Sequence, residues 1–281
     1  MDIKRVSRRD GKTRDSREYF AKARSSITVR GNIETTSIRI LVEPPPDEKF
    51  DEKTRNICWL YKQAQDLRDK GERVISTDEM TGIQALQRQY PDKPMKPGQP
   101  IKREFEYIRH GIQTLIASFD ISSGTILHES IGQTRTELDF VTHMQQMIKA
   151  NPQITKWHLV MDCLNIHQSE SLVRWVASFE RIPQVILGKK GQSGILESMA
   201  TRAEFLNRPE HKVVFYYTPK HCSWLNQIEM WFSILMRKLL KRGSFLSQGD
   251  LAAKILDFIA YYNDKMAKPF KWTYKGKVLT V

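Results

Sequence analysis

Apolar side chains are sparse over the first thirty residues and become periodic only further along the chain. Ser37 to Val42 is a short apolar stretch. Pro44-Pro45-Pro46 closes it, because proline lacks a backbone donor and halts regular structure. Residues 47–70 read as a polar helix with Ile57, Trp59, Leu60 and Leu67 as its few apolar positions. From Arg73 the pattern becomes that of a mixed domain. Val74 to Thr77 predicts a short strand ending at Asp78, and the Pro- and Gly-rich residues 91–100 predict a long loop. Ile112–Asp120 and Gly124–Ile131 predict a β-hairpin around Ser122-Ser123-Gly124. Helical spacing runs from Thr136 to Ala150 through Leu138, Val141, Met144 and Met147/Ile148. Trp157–Met161 then predicts a buried strand ending at Asp162, and Ser169–Phe179 a short amphipathic helix. Residues 183–212 carry turn chemistry and read as an insertion. Val213–Tyr217 is a further strand. The longest helix is expected to start at a Ser223 cap and to bury Trp224/Leu225, Ile228, Trp231/Phe232, Leu235 and Leu239 before Gly243. A last helix spans Gln248 to Tyr262. Strands interleaved with helices imply an α/β domain.

The organisation expected is therefore a basic extension over residues 1–46, a linker helix over 47–72 and a catalytic domain over 73–281. The formal net charge of +13 changes the picture of partners. An excess of Lys and Arg points to a polyanion, since these side chains replace counterions condensed on phosphates. Lys4, Arg5, Arg8, Arg9, Lys12, Arg14 and Arg17 crowd the start, as in an arm that settles on a phosphate backbone; a solvated tail without a partner is the alternative. Cys58, Cys163 and Cys222 form no C-x-x-C pair and signal neither a zinc site nor a disulfide framework. No apolar run approaches the ~20 residues that span a bilayer. A cytoplasmic protein, associated with the nucleoid when bound to DNA, is expected. GKKGQSG (188–194) lacks the spacing of a phosphate-binding loop, so no nucleotide cofactor is expected.

Two acids sit where strands end, Asp78 and Asp162, and Glu229 lies near the start of the long helix with Asn226 on its face. Carboxylates at strand ends reach a cleft. Three of them converging in a basic protein repel one another unless divalent cations intervene, and oxygen ligands suit Mg²⁺ or Mn²⁺. Each acid alone is a common surface feature; the neighbouring residues make the set specific. STDEMTGIQAL (76–86), EYIRHG (106–111), LVMDCLNIHQSESL (159–172) and YTPKHCSWLNQIEMWFSIL (217–235) resemble the insertion-sequence branch of the mariner superfamily of DDE transposases. The resemblance runs from about Arg73 to the C-terminus. It implies an RNase H-like mixed sheet flanked by helices, with a short basic N-terminal extension. It also implies that Asp78, Asp162 and Glu229 are the catalytic, metal-binding triad for two Mg²⁺ or Mn²⁺ ions. The activity implied is nicking at transposon ends followed by strand transfer into target DNA. The partners implied are double-stranded DNA and a second copy of the chain in a homodimer. Two departures stand out: the interval from Asp162 to Glu229 is longer than usual, and Cys163 stands where many relatives have Asn. Relatives carry helix-turn-helix units ahead of the catalytic domain, and no convincing pair is visible here. The alternative function is thus a truncated, inactive DNA-binding remnant.

Further candidates for DNA contact are Arg109, His110, His167, Lys189, Lys190 and Asn226. His167 has an orienting or packing role as its alternative, and Arg109 a structural ion pair. Trp224 and Trp231 read as core residues rather than stacking platforms. Deleting residues 1–30 is expected to flatten the dependence of DNA affinity on salt, measured as the slope of log K against log salt; an unchanged slope would remove the arm from the interface.

Overall fold

The strands of this protein alternate sides, and that alternation builds two cores around one sheet. In the computed structural model, residues 47, 49–102 and 104–274 are described. The basic arm, the stretch Ser37 to Val42 and the triple proline lie outside the described residues. Helix α1 (Phe50–Asp69) leads into β1 (Glu72–Arg88), β2 (Tyr107–Asp120), β3 (Thr125–Gly132), α2 (Glu137–Ala150), β4 (Lys156–Met161) and α3 (Glu170–Phe179). Then follow α4 (Met199–Leu206), β5 (Val213–Tyr217), α5 (Ile228–Leu235) and α6 (Gln248–Tyr261). The sheet order is β3-β2-β1-β4-β5. β1 pairs antiparallel with β2 and parallel with β4, and β5 continues parallel to β4. This is the mixed sheet flanked by helices expected of an RNase H-like domain.

Successive strand residues face opposite sides. Val74, Leu115, Ala117, Phe119 and Val160 join a core with Ile57, Leu60, Ile228, Trp231, Leu251 and Ile255, which come from α1, α5 and α6. Ile75, Ile116, Leu159, Met161 and Phe215 join the other core, with Phe140, Met144, Leu172, Val176 and Phe205 from α2, α3 and α4. Burying each large side chain contributes roughly 1.5–3 kcal/mol, so the sheet is fixed from both faces. α2 starts at a capping box, in which the Thr136 hydroxyl accepts from the Asp139 amide and the Asp139 carboxylate accepts from the Thr136 amide. Ser169 caps α3 and Ser247 caps α6.

Several expectations are corrected. β1 does not end at Asp78 but runs on to Arg88, paired with β2 as far as Arg88↔Tyr107. The extension is held by backbone pairing through two register irregularities, between Met80 and Ile83 and between Gln84 and Leu86, and so it lacks the alternation that marks a strand in sequence. Residues 183–212 contain α4, started by a capping box of Ser198 and Thr201. α5 is not the longest helix; among the described residues that is the 20-residue α1. Ser223 opens a 3₁₀ turn, Asn226 is extended, and only then does α5 begin, continuing into a π-helical turn over Met236–Leu240. Trp59, Leu138 and Trp224 are exposed rather than core, the last meeting Tyr274 edge-on; Trp231 is core as expected.

Phe270 stacks on the buried Phe119 ring at a centroid distance of 5.0 Å, which ties the C-terminal segment to the sheet. Phe119→Ala is expected to cost about 3–5 kcal/mol in urea unfolding. A loss below about 1 kcal/mol would show that this core collapses around the cavity or contributes little.

Candidate active site

The parallel pairing of β1 and β4 sets the geometry of the site. Its register includes Ile75↔Leu159 and Ser76↔Val160. Continued two residues further, it sets Asp78 beside Asp162, the residue that directly follows β4. Glu229 enters from the first turn of α5, which packs on β1.

Asn226 and Ser76 fasten α5 to that strand. The Ser76 hydroxyl donates to the Asn226 side-chain oxygen and accepts from the Ile228 amide at 2.8 Å. The Asn226 amide group donates to the Thr77 carbonyl at 3.0 Å and to Asp78 Oδ2 at 3.1 Å. Asp78 Oδ1 accepts from the Glu79 amide at 2.8 Å. Both oxygens of a nearly buried carboxylate are thus oriented by fixed donors.

The three acids feel one another. Burial pushes the Asp78 carboxyl up, and the charge of Asp162 pushes it further, to about 7. Burial also raises Glu229, again with Asp162 as the second cause. Asp162 moves the other way. Its burial would raise it, but the hydrogen bond and charge of His167, with the Leu164 amide, hold it below the ordinary carboxylate range. One acid, partly exposed, stays ionised while its two neighbours resist ionisation.

His167 is the counter-charge. Its ring is fully buried, with Nδ1 donating to Asp162 Oδ1 at 2.8 Å and Nε2 donating to Glu79 Oε1 at 3.0 Å. Burial alone would lower its pKa, but the two carboxylates lift it to about 10, so the ring is an imidazolium at neutral pH. Phe140 packs on the ring, and the Tyr217 hydroxyl donates to the His167 carbonyl. Ligand atoms of Asp78, Glu79 and His167 lie within 4.8 Å of one another. Both ring nitrogens already face carboxylate oxygens, so in this arrangement His167 ties Asp162 to Glu79.

Two assignments from sequence therefore change. Asn226 and His167 are fully buried with their polar atoms engaged, so neither presents a surface to DNA in this structure. Arg109 stacks on and donates to Tyr107 at the outer part of β2, and His110 meets Gln87 there. Arg109 forms no ion pair among the described residues. Lys189 and Lys190 are exposed on the insertion, with Lys190 3.9 Å from Glu137. These four residues stay outside the acidic cluster. Sequence reasoning missed Glu79 and Ser76. Strict alternation along β1 would put Glu79 on the side away from Asp78, and a lone serine in a strand carries no signal.

Among curated proteins, none matches the chain. It is similar to the solved Mos1 strand transfer complex at 13% identity, with 82% of this chain and 59% of that chain covered and a TM-score of 0.47. A pre-cleavage Mos1 transpososome is similar at 12% identity, covering 82% and 60%, with a TM-score of 0.45. The Mos1 mariner catalytic domain is similar at 11% identity, covering 78% and 85%, with a TM-score of 0.43. The chain thus spans about three-fifths of the first two of these transposase chains. The family model described as DDE superfamily endonuclease matches residues 73–252, the stretch that holds Asp78, Asp162 and Glu229. The chain belongs to the DDE superfamily of endonucleases.

Proposed function

We propose that this protein is a DNA transposase whose domain cuts phosphodiester bonds with divalent cations held by Asp78, Asp162 and Glu229. The observation that carries this reading is geometric: the β1–β4 register runs toward Asp78 and Asp162 side by side, Glu229 starts the helix keyed to β1 through Ser76, and the Asp162 charge pushes both other carboxyls up. The donor set fits Mg²⁺ or Mn²⁺. It is all oxygen, and among the described residues neither Asp162 Oδ2 nor the Glu229 carboxylate accepts a hydrogen bond. Two such ions, when bound, activate an attacking oxygen and stabilise a leaving one.

The chain's own residues supply the rest. Asn226 and the Glu79 amide hold Asp78 in one rotamer, and His167 with the Leu164 amide holds Asp162. Pre-set ligands lose little freedom on binding, which favours affinity and fixes where the scissile phosphate must lie. The net charge of +13 supplies attraction for duplex DNA. Transposition, rather than bare nicking, rests on the mariner resemblance of the motifs around the three acids. A homodimer follows from that reading, since two transposon ends must be joined.

Asp78→Asn, Asp162→Asn and Glu229→Gln are each expected to abolish metal-dependent nicking of supercoiled plasmid while folding and non-specific DNA binding persist. Full activity in any one would refute the assignment, and a parent protein that binds DNA yet never nicks it would mark an inactive remnant. A second expectation concerns pH. A carboxyl with its pKa raised to about 7 keeps its proton below that value, and the cation must displace it. The half-saturating Mn²⁺ concentration should therefore fall about tenfold between pH 6 and pH 8 and level off above. A flat profile across that range would contradict it.

A further inference from the structure

Glu79 is a carboxylate with an unusual setting. Its side chain is fully buried, Oε1 meets His167 at 3.0 Å, and Oε2 has no hydrogen-bond partner among the described residues. A buried carboxylate held by one partner is costly, and loss of either member of such a pair leaves the other uncompensated, so Glu79 and His167 depend on each other. Its partner has no spare capacity. His167 Nε2 is spent on Glu79, and Nδ1 is spent on Asp162, on both the carboxylate at 2.8 Å and the backbone carbonyl at 3.2 Å. Phe140 covers a face of the ring at 4.7 Å between centroids. The ring has no freedom to turn while Glu79 holds its far edge.

We propose that Glu79 is a positioning residue: by anchoring Nε2 it orients His167, which fixes Asp162 Oδ1 and leaves Asp162 Oδ2 directed to a divalent cation. The proposal deepens the metal-dependent reading above and rests on it. The chain runs carboxylate, imidazole, carboxylate, so a residue that touches neither cation nor DNA sets the orientation of one that binds the cation. This is the role outer partners play around metal sites, where their loss costs about 10–100-fold in affinity. The backbone gives Asp162 a second donor, the Leu164 amide at 3.0 Å, so loss of the anchor loosens the carboxylate without freeing it.

The test compares Glu79→Gln with Glu79→Met in the full chain. Both side chains are neutral and unbranched, but only glutamine offers an oxygen to His167 Nε2. Mn²⁺ binding without DNA is followed by the electron paramagnetic resonance signal of free Mn²⁺, with thermal midpoints recorded in parallel. Glu79→Met is expected to weaken Mn²⁺ binding about 10–100-fold and Glu79→Gln clearly less. Equal losses in the two variants would reveal a bare charge effect and overturn the proposal, as would unchanged affinity with only a lowered midpoint. Should Glu79→Met not fold, Glu79→Ala takes its place against Glu79→Gln. Asp162→Asn separates the two levels. If it binds Mn²⁺ like the parent, the metal reading itself fails; if it binds weakly while Glu79→Met binds normally, the positioning role alone fails.

Discussion

Repulsion between acidic side chains gathered at one end of a sheet is the constraint that the rest of this molecule answers. The Asp162 charge reaches both Asp78 and Glu229, and Glu79 brings a fourth carboxylate that meets His167. Two kinds of local answer are visible. Neutral donors, the Asn226 amide and the backbone amides of Glu79 and Leu164, orient the oxygens. One cation, His167, lies between two of the acids with no exposed surface. The answer is partial, since the Asp78 carboxyl still rests near 7. Divalent cations at this cluster would offset the repulsion that remains.

The scaffold makes this clustering possible by holding the sheet from both faces. Strand alternation sends Val160 to one core and Leu159 and Met161 to the other, so β4 has no freedom to slip, and a slip of one residue would turn each side chain to the wrong face. Register then becomes chemistry: the same parallel pairing that buries Ile75 and Leu159 sets Asp78 beside Asp162. Ser76, between Ile75 and Thr77, faces α5 and receives the Ile228 amide, so the helix bearing Glu229 is keyed to the strand bearing Asp78. Core packing and site geometry are two results of one register.

Much of this was legible in the sequence where a hydrophobic period was strong. β4, β5, α2, α3 and α6 stand within a residue or so of where their patterns put them, because each presents one clear apolar face. The far half of β1 was hidden. Its pairing is backbone to backbone across two irregularities, and the polar run TDEMTG carries no period. The start of α5 was misread for a related reason. Asn226 leaves the helix to reach Ser76 and Asp78, a tertiary demand that local capping preference at Ser223 does not encode. The three acids were legible through the motifs around them. Of the support behind them, an orienting role for His167 stood among the alternatives, but its pairing with Glu79 was hidden, since the two meet across distant segments and a buried His–Glu pair leaves no mark in a single chain.

The most direct test of the account is the position of the cation. Crystals grown with Mn²⁺ and examined by anomalous scattering should show manganese coordinated by Asp78 and Asp162, with Glu229 at or beside the same ions. Manganese found elsewhere on the chain, with the three carboxylates bare at saturating concentration, would contradict the account.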